Sequence, residues 1–469
     1  MSHAFPSSRP VTPAARAVQR AVGAGLACAL LALLPVLSAQ ASVVCKRVGA
    51  DGTTEYRNFP RCPSGWTKAA DYQPEVASPA GLPPAQTPAG VPQTAPPAPT
   101  ATPDALPPAN GTSASLQDFG DPNAATVLAR LRAGPGTAFR FLQIGDSHTA
   151  GDFLTERLRL RLQQRLGDGG LGWATPMQIP GQRLARVKFT QTGWQLISSR
   201  STGPGYDYPF GGFIAQVSGP FASLTLTPRY QTARQSVTVL LRQGPLDAPL
   251  SITDANGVQL SIKSPSIDNQ WHPVRFEAQL PITVTATLSP QTAIGGWWMQ
   301  NLDRPGAIVS AVGINGSELE QWSRWRSGWM EDLAAANPDL IALAYGTNEA
   351  FRITLDPEAL RTTLVTAIGH LRQRFPGSVI LILGAPESLK SLAGGRCGTR
   401  AAGLDIVQAV QQAVARQRHT LYWDWQQAMG GRCSMAGWVA RGLARRDGVH
   451  FSREGYEALA DDLYSGLVP

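Results

Sequence analysis

Acyl transfer at neutral pH needs a hydroxyl, an imidazole and a carboxylate in line, and this chain offers them at two widely separated places. The stretch "AFRFLQIGDSHTAGDF" (138–153) ends an apolar, aromatic run in Gly145, Asp146, Ser147 and His148. A free serine hydroxyl is a poor nucleophile until an imidazole takes its proton and an acid orients that imidazole. Near the C-terminus "RRDGVHFSREGYEAL" sets Asp447 and His450 three residues apart, just before a helical pattern. That spacing lets one turn of loop bring the carboxylate to Nδ1 while Nε2 faces away, toward Ser147. A lone D-x-x-H is also what a surface turn produces; it gains weight from the strand-terminal serine at the other end of the domain.

The second requirement is a set of donors where negative charge develops. Asn348 in "GTNEAF" follows the strand-like "LIALAY", and Gly316 in "VGINGSELEQW" follows "AIVSA". A side-chain amide at the first and an unshielded backbone N–H at the second could both meet an oxyanion. A metal site built from Asp146, His148, Glu349 and His450 is the rival, but neither H-x-H nor H-E-x-x-H occurs. His148 then reads as a packing neighbour, and no metal or other cofactor is expected. Trp297 and Trp298 suit either sugar stacking or a split between core and interface, and Trp322, Trp325 and Trp329 suit packing along one side of a helix.

The elements that must position these residues read as α/β. "FRFLQIG" is a buried-strand run, and Leu154, Leu158, Leu162 and Leu166 recur every four residues, as on one helix face. Later strands "GAIVSAVG", "DLIALAYG", "SVILILG" and "TLYWDW" alternate with expected helices over 317–336, 356–375, 403–418 and 452–466. Such alternation predicts a parallel, doubly wound sheet covered on both faces. The region 174–303 breaks the pattern: "SLTLTP", "QSVTVLL", "LSITDA", "VQLSI", "VRFEAQL" and "ITVTATL" are short, β-branched and separated by turn residues. An inserted β-sandwich is expected there, between the first and second sheet strands.

The N-terminus has Arg16 and Arg20, an apolar run and Ala39-Gln40-Ala41, the parts of a secretory signal ending at residue 41. Its loss would remove three arginines and no acid, taking the formal charge from +8 to +5. A mildly basic mature chain suits an anionic wall polymer or simple solubility, and the absence of a Lys/Arg run argues against nucleic acid. No stable membrane insertion is expected after cleavage. Cys45, Cys62, Cys397 and Cys433 would remain, an even number read as disulfides, by proximity Cys45–Cys62 and Cys397–Cys433. Residues 42–72 look like a small stapled hairpin, and the Pro/Ala/Thr-rich 73–117 like a linker.

In order along the chain, Gly-Asp-Ser, Gly, Gly-Thr-Asn and Asp-x-x-His at successive strand ends resemble the SGNH/GDSL serine hydrolases over about 138–172 and 306–469. The resemblance implies a flavodoxin-like sheet, here in hydrolase parts 118–173 and 304–469. It implies Ser147 as nucleophile, His450 as general base and acid, and Asp447 as its orienter. The oxyanion hole would be the Ser147 and Gly316 N–H groups with the Asn348 side chain. His148, "GINGSELEQW", "YGTNEAF" and the β-rich insertion resemble the bacterial peptidoglycan O-acetylesterase branch. There the insertion is carbohydrate-binding-like and the substrate is the O-acetyl group of N-acetylmuramic acid, so a periplasmic or envelope enzyme acting on O-acetylated peptidoglycan is expected. The alternatives are an O-acetyltransferase using the same acyl-enzyme on an envelope polysaccharide, and a cell-wall binding protein.

Overall fold

The computed structural model describes residues 43–48, 54–59, 62, 64–65, 67–68, 115–201 and 205–469. The expected signal peptide, residues 1–41, and the linker as far as residue 114 lie outside them. In the N-terminal unit, Val43–Val48 pairs antiparallel with Thr54–Phe59 and with the short Thr67–Lys68. Cys62 is disulfide-bonded, while its expected partner, Cys45, has a side chain outside the described residues.

In the second unit a six-stranded sheet runs in the order Ala307–Gly313, Phe139–Gly145, Leu340–Ala344, Val379–Leu383, Leu421–Trp423, Leu116–Asp118. The first five strands are parallel and the last is antiparallel. Leu340–Ala344 and Val379–Leu383 are buried throughout, as continuous apolar runs must be when both faces are covered. On one face Leu154, Leu158, Leu162 and Leu166 of the helix Phe153–Leu166 join Leu459, Leu463 and Leu467 of the helix Arg453–Leu467 in one core. On the other, Leu364, Ile368 and Leu371 of Pro357–Arg374 and Val414 of Leu404–Arg418 pack with Leu142, Ile144 and Ile341. Leu116–Asp118, at the end of the expected linker, is thus a sheet strand.

Between Phe139–Gly145 and Ala307–Gly313 the chain forms two antiparallel sheets. Apolar residues of both, such as Leu224, Ile252 and Val284 from one and Val237, Val239 and Trp297 from the other, share one buried core. Gly172–Ala174 crosses the expected boundary at 173/174 and pairs with Ala293–Asn301.

The expected helix over 317–336 is not present. Two 3₁₀ turns, Leu319–Arg324 and Trp329–Leu333, flank an extended Trp325. The cause is tertiary. Trp325 bridges to Tyr208 and Arg326 N donates to Tyr208 O at 2.8 Å. Trp322, Trp325 and Trp329 pack on one another, and Trp325 and Trp329 also meet Phe210. The packing read from these tryptophans is present without the helix.

Candidate active site

The strand Phe139–Gly145 ends against its neighbours so tightly that only glycine fits at its last position. A Cβ on Gly145 would lie 2.4 Å from both Ala344 O and Thr149 Oγ1, and one on Gly313 would lie 2.2 Å from Ala150 N. These two glycines let the short helix Ser147–Ala150 sit down on the strand ends. Asp146 caps it, accepting from His148 N at 2.9 Å, and Ser147 is left half-buried beside the point where strand order reverses, the usual ligand position of such sheets.

The loop before Arg453–Leu467 brings the expected partners. Ser147 Oγ lies 2.8 Å from His450 Nε2, and His450 Nδ1 lies 2.8 Å from Asp447 Oδ2. Asp447 Oδ1 accepts from the backbone N–H groups of Val449 and His450, both at 2.9 Å. Burial pushes the Asp447 carboxyl up, but the hydrogen bond and charge of His450, with the two N–H donors, outweigh it and hold it at about 2. An ionised Asp447 fixes the proton on Nδ1 and leaves the Nε2 lone pair to the serine hydroxyl.

The expected donors gather at the same strand ends. Neither the Ser147 nor the Gly316 N–H is given to another backbone carbonyl among the described residues. Gly316 has φ +69°, a left-handed conformation that glycine takes without strain. Asn348 differs from expectation in one respect: its Nδ2 already donates to Ser317 O at 2.9 Å and, over a long 3.4 Å, to Asp146 Oδ2. The first bond ties it to the Gly316 loop; the second is weak enough to be exchanged for a better acceptor.

Three supports were not legible as such. Glu349, considered only as a metal ligand, is buried and accepts from Leu319 N and Gly346 N, each at 2.9 Å, joining the two donor loops. The acid in "GTNEAF" was the available signal. Arg200, from the β-rich region, donates Nε to Gly316 O at 3.0 Å, and Asn315 Nδ2 donates to Gly181 O at 2.8 Å; nothing in the sequence marked these contacts. His148 is a packing residue, with Nδ1 2.8 Å from Tyr456 OH and its ring 5.3 Å from that of His450. Burial, then the His450 charge, pushes its pKa well down, so it is neutral. Trp297 and Trp298 are both buried in the β-rich region and present no face to a sugar. The expected Cys397–Cys433 disulfide is formed.

Asp146 is fully buried. Burial, with the nearby charge of Glu349, outweighs its hydrogen bonds and lifts its pKa to about 7. A carboxyl raised on folding stabilises the folded state fully only below its unfolded value, near 4, and that contribution is lost as pH rises through about 7. Asp146→Asn should therefore gain stability relative to the parent between about pH 4 and 7 and gain no more above. Urea unfolding at pH 4, 5.5, 7 and 8.5 measures it; a difference independent of pH would show that Asp146 is ionised throughout.

A doubly wound sheet presenting serine, histidine and aspartate in one hydrogen-bonded line is the architecture of a class of esterases. The model for the GDSL-like Lipase/Acylhydrolase family matches residues 251–458, and that for Peptidoglycan O-acetylesterase, N-terminal, matches residues 169–283. A solved peptidoglycan O-acetylesterase is 42% identical over 75% of this chain and 97% of its own, with TM-score 0.67. A GDSL-like lipase from Parabacteroides merdae is 19% identical over 35% of this chain and 74% of its own, with TM-score 0.28. An acetyl xylan esterase is 16% identical over 34% and 79%, with TM-score 0.27. No curated protein matches the chain. The chain belongs to the peptidoglycan O-acetylesterase branch of the SGNH/GDSL acylhydrolases, and it is an esterase.

Proposed function

We propose that this protein is an exported serine esterase that removes O-acetyl groups from the N-acetylmuramic acid of peptidoglycan through an acyl-enzyme. The observation that carries the reading is the unbroken line Ser147 Oγ, His450 Nε2, His450 Nδ1, Asp447 Oδ2, each contact 2.8 Å. Ser147 attacks the acetyl carbonyl as His450 takes its proton. His450 then protonates the leaving sugar oxygen, and a water activated by the same imidazole releases acetate. Asp447 keeps the imidazole in the required tautomer throughout.

The oxyanion would be met by the Ser147 and Gly316 N–H groups and by the Asn348 amide, once the 3.4 Å contact to Asp146 gives way. Asn348→Ala should cost about 10²- to 10³-fold in kcat with KM nearly unchanged, because the bond is strongest only as charge accumulates. Steady-state kinetics on a small acetyl ester measures it; a rise in KM alone would make Asn348 a substrate-positioning residue.

The strand order supports a flavodoxin-like core, and the shared core of the two antiparallel sheets supports an inserted, carbohydrate-binding-like β-sandwich. Export to the periplasm or envelope rests on the N-terminal sequence and the wall substrate; among the described residues no helix is long and apolar enough to cross a membrane. Acetate release from O-acetylated peptidoglycan, with and without an acceptor glycan, tests the whole reading. Hydrolysis indifferent to acceptor supports it, transfer to the glycan makes the protein an acetyltransferase, and binding without turnover makes it a wall-binding protein.

A further inference from the structure

Behind the nucleophile, where the helix Ser147–Ala150 and Gly313 meet the β-rich region, lies a cavity of about 20 Å³. Thr149, Ala150, Gly313, Gln182, Arg159 and Arg186 are among its walls. Burying two guanidiniums side by side is expensive unless each is paired, so the fate of every nitrogen matters. Arg159, 2% exposed, gives Nε to Val309 O at 2.9 Å and Nη2 to Asp152 Oδ1 at 3.1 Å. Its Nη1 has no partner among the described residues, and neither has Arg186 Nε.

The neighbouring acids are occupied. Asp152 Oδ1 also accepts from Thr155 Oγ1, and its Oδ2 accepts from Ala185 N. Glu156 is paired with Arg183, whose Nη1 donates to Asp152 O. Among the described residues Arg186 approaches one carboxylate, Asp168, at 3.9 Å, which is 44% exposed, and its guanidinium lies over the Tyr230 ring, 5.1 Å from the centroid. Burial, followed by the charge of Arg159, depresses the Arg186 pKa, while the charges of Asp168 and Asp152 act the other way.

A pocket of this size takes one particle about as large as a water molecule. Two arginines, each with one unpartnered nitrogen, are among the residues that line it. A water accepting from both would still have two protons of its own to place, whereas an anion only accepts and also neutralises. We propose that this cavity is a binding site for one small monovalent anion of halide size, held by Arg159 Nη1 and Arg186 Nε. The anion would fasten the helix Phe153–Leu166 of the hydrolase to residues 182–187 of the β-rich region, behind the nucleophile. Nothing in this inference depends on the ester substrate.

Melting of the full chain in sodium chloride and in sodium gluconate at equal ionic strength provides the test. Chloride should raise the melting temperature saturably, by about 2–3 °C at ten times its dissociation constant, and Arg186→Gln should abolish the difference. Crystals soaked in bromide should show an anomalous peak between the two guanidiniums, a readout that stands even if the variant fails to fold. Equal melting in both salts, an undiminished chloride effect in Arg186→Gln, or no bromide peak would each overturn the proposal.

Discussion

Ser147→Ala should fold as the parent does and turn over acetyl esters about 10⁴- to 10⁶-fold more slowly. Among the described residues the Ser147 hydroxyl is the group hydrogen-bonded to His450 Nε2, at 2.8 Å, and it can form an ester with the acyl carbon. Removing it strands no buried partner, because the His450 side chain is 34% exposed and water can take the freed bond. The change in stability should accordingly stay within about 0.5 kcal/mol. A fluorophosphonate should label the parent at Ser147 alone and leave the variant unlabelled, read by intact mass and peptide mapping. Unchanged turnover in a normally folded Ser147→Ala would remove the serine from the mechanism, and with it the acyl-enzyme.

The residues of that line were legible because each is fixed by backbone close to it in sequence. Ser147 follows a strand that ends at Gly145, and Asp447 reaches His450 within a single turn of loop, so local pattern carried the geometry. The helix Phe153–Leu166 was legible for the same reason, its four leucines being a local signal of burial. What failed to show was set by distant contacts. Residues 317–336 carry tryptophans at a spacing that suits a helix, yet Tyr208, more than a hundred residues earlier, holds Trp325 extended. The edge strand Leu116–Asp118 has three residues and follows a Pro/Ala/Thr-rich stretch; only its pairing with Leu421–Trp423 makes it a strand. Arg200 on Gly316 O is a contact across 116 residues, and an arginine after a strand carries no local mark of it.

The orienting acid gives the other large effect. Asp447→Asn should lower kcat by about 10⁴-fold while the protein melts close to the parent temperature. The carboxylate uses both oxygens, Oδ1 on the N–H groups of Val449 and His450 and Oδ2 on His450 Nδ1. Asparagine has one oxygen. Left on the two backbone donors, where it keeps the loop folded, it turns an NH₂ toward Nδ1. The ring must then carry its proton on Nε2, which can donate to Ser147 but cannot receive from it. The parent carboxyl, held near 2, is ionised throughout the range in which the enzyme can be assayed. Its contribution to stability is present above the unfolded value, near 4, and is lost only as pH falls through about 2. Protonation of residue 447 should therefore add no step to the parent's pH–rate profile between about pH 5 and 9. A variant as fast as the parent would mean that His450 is oriented by something other than this carboxylate.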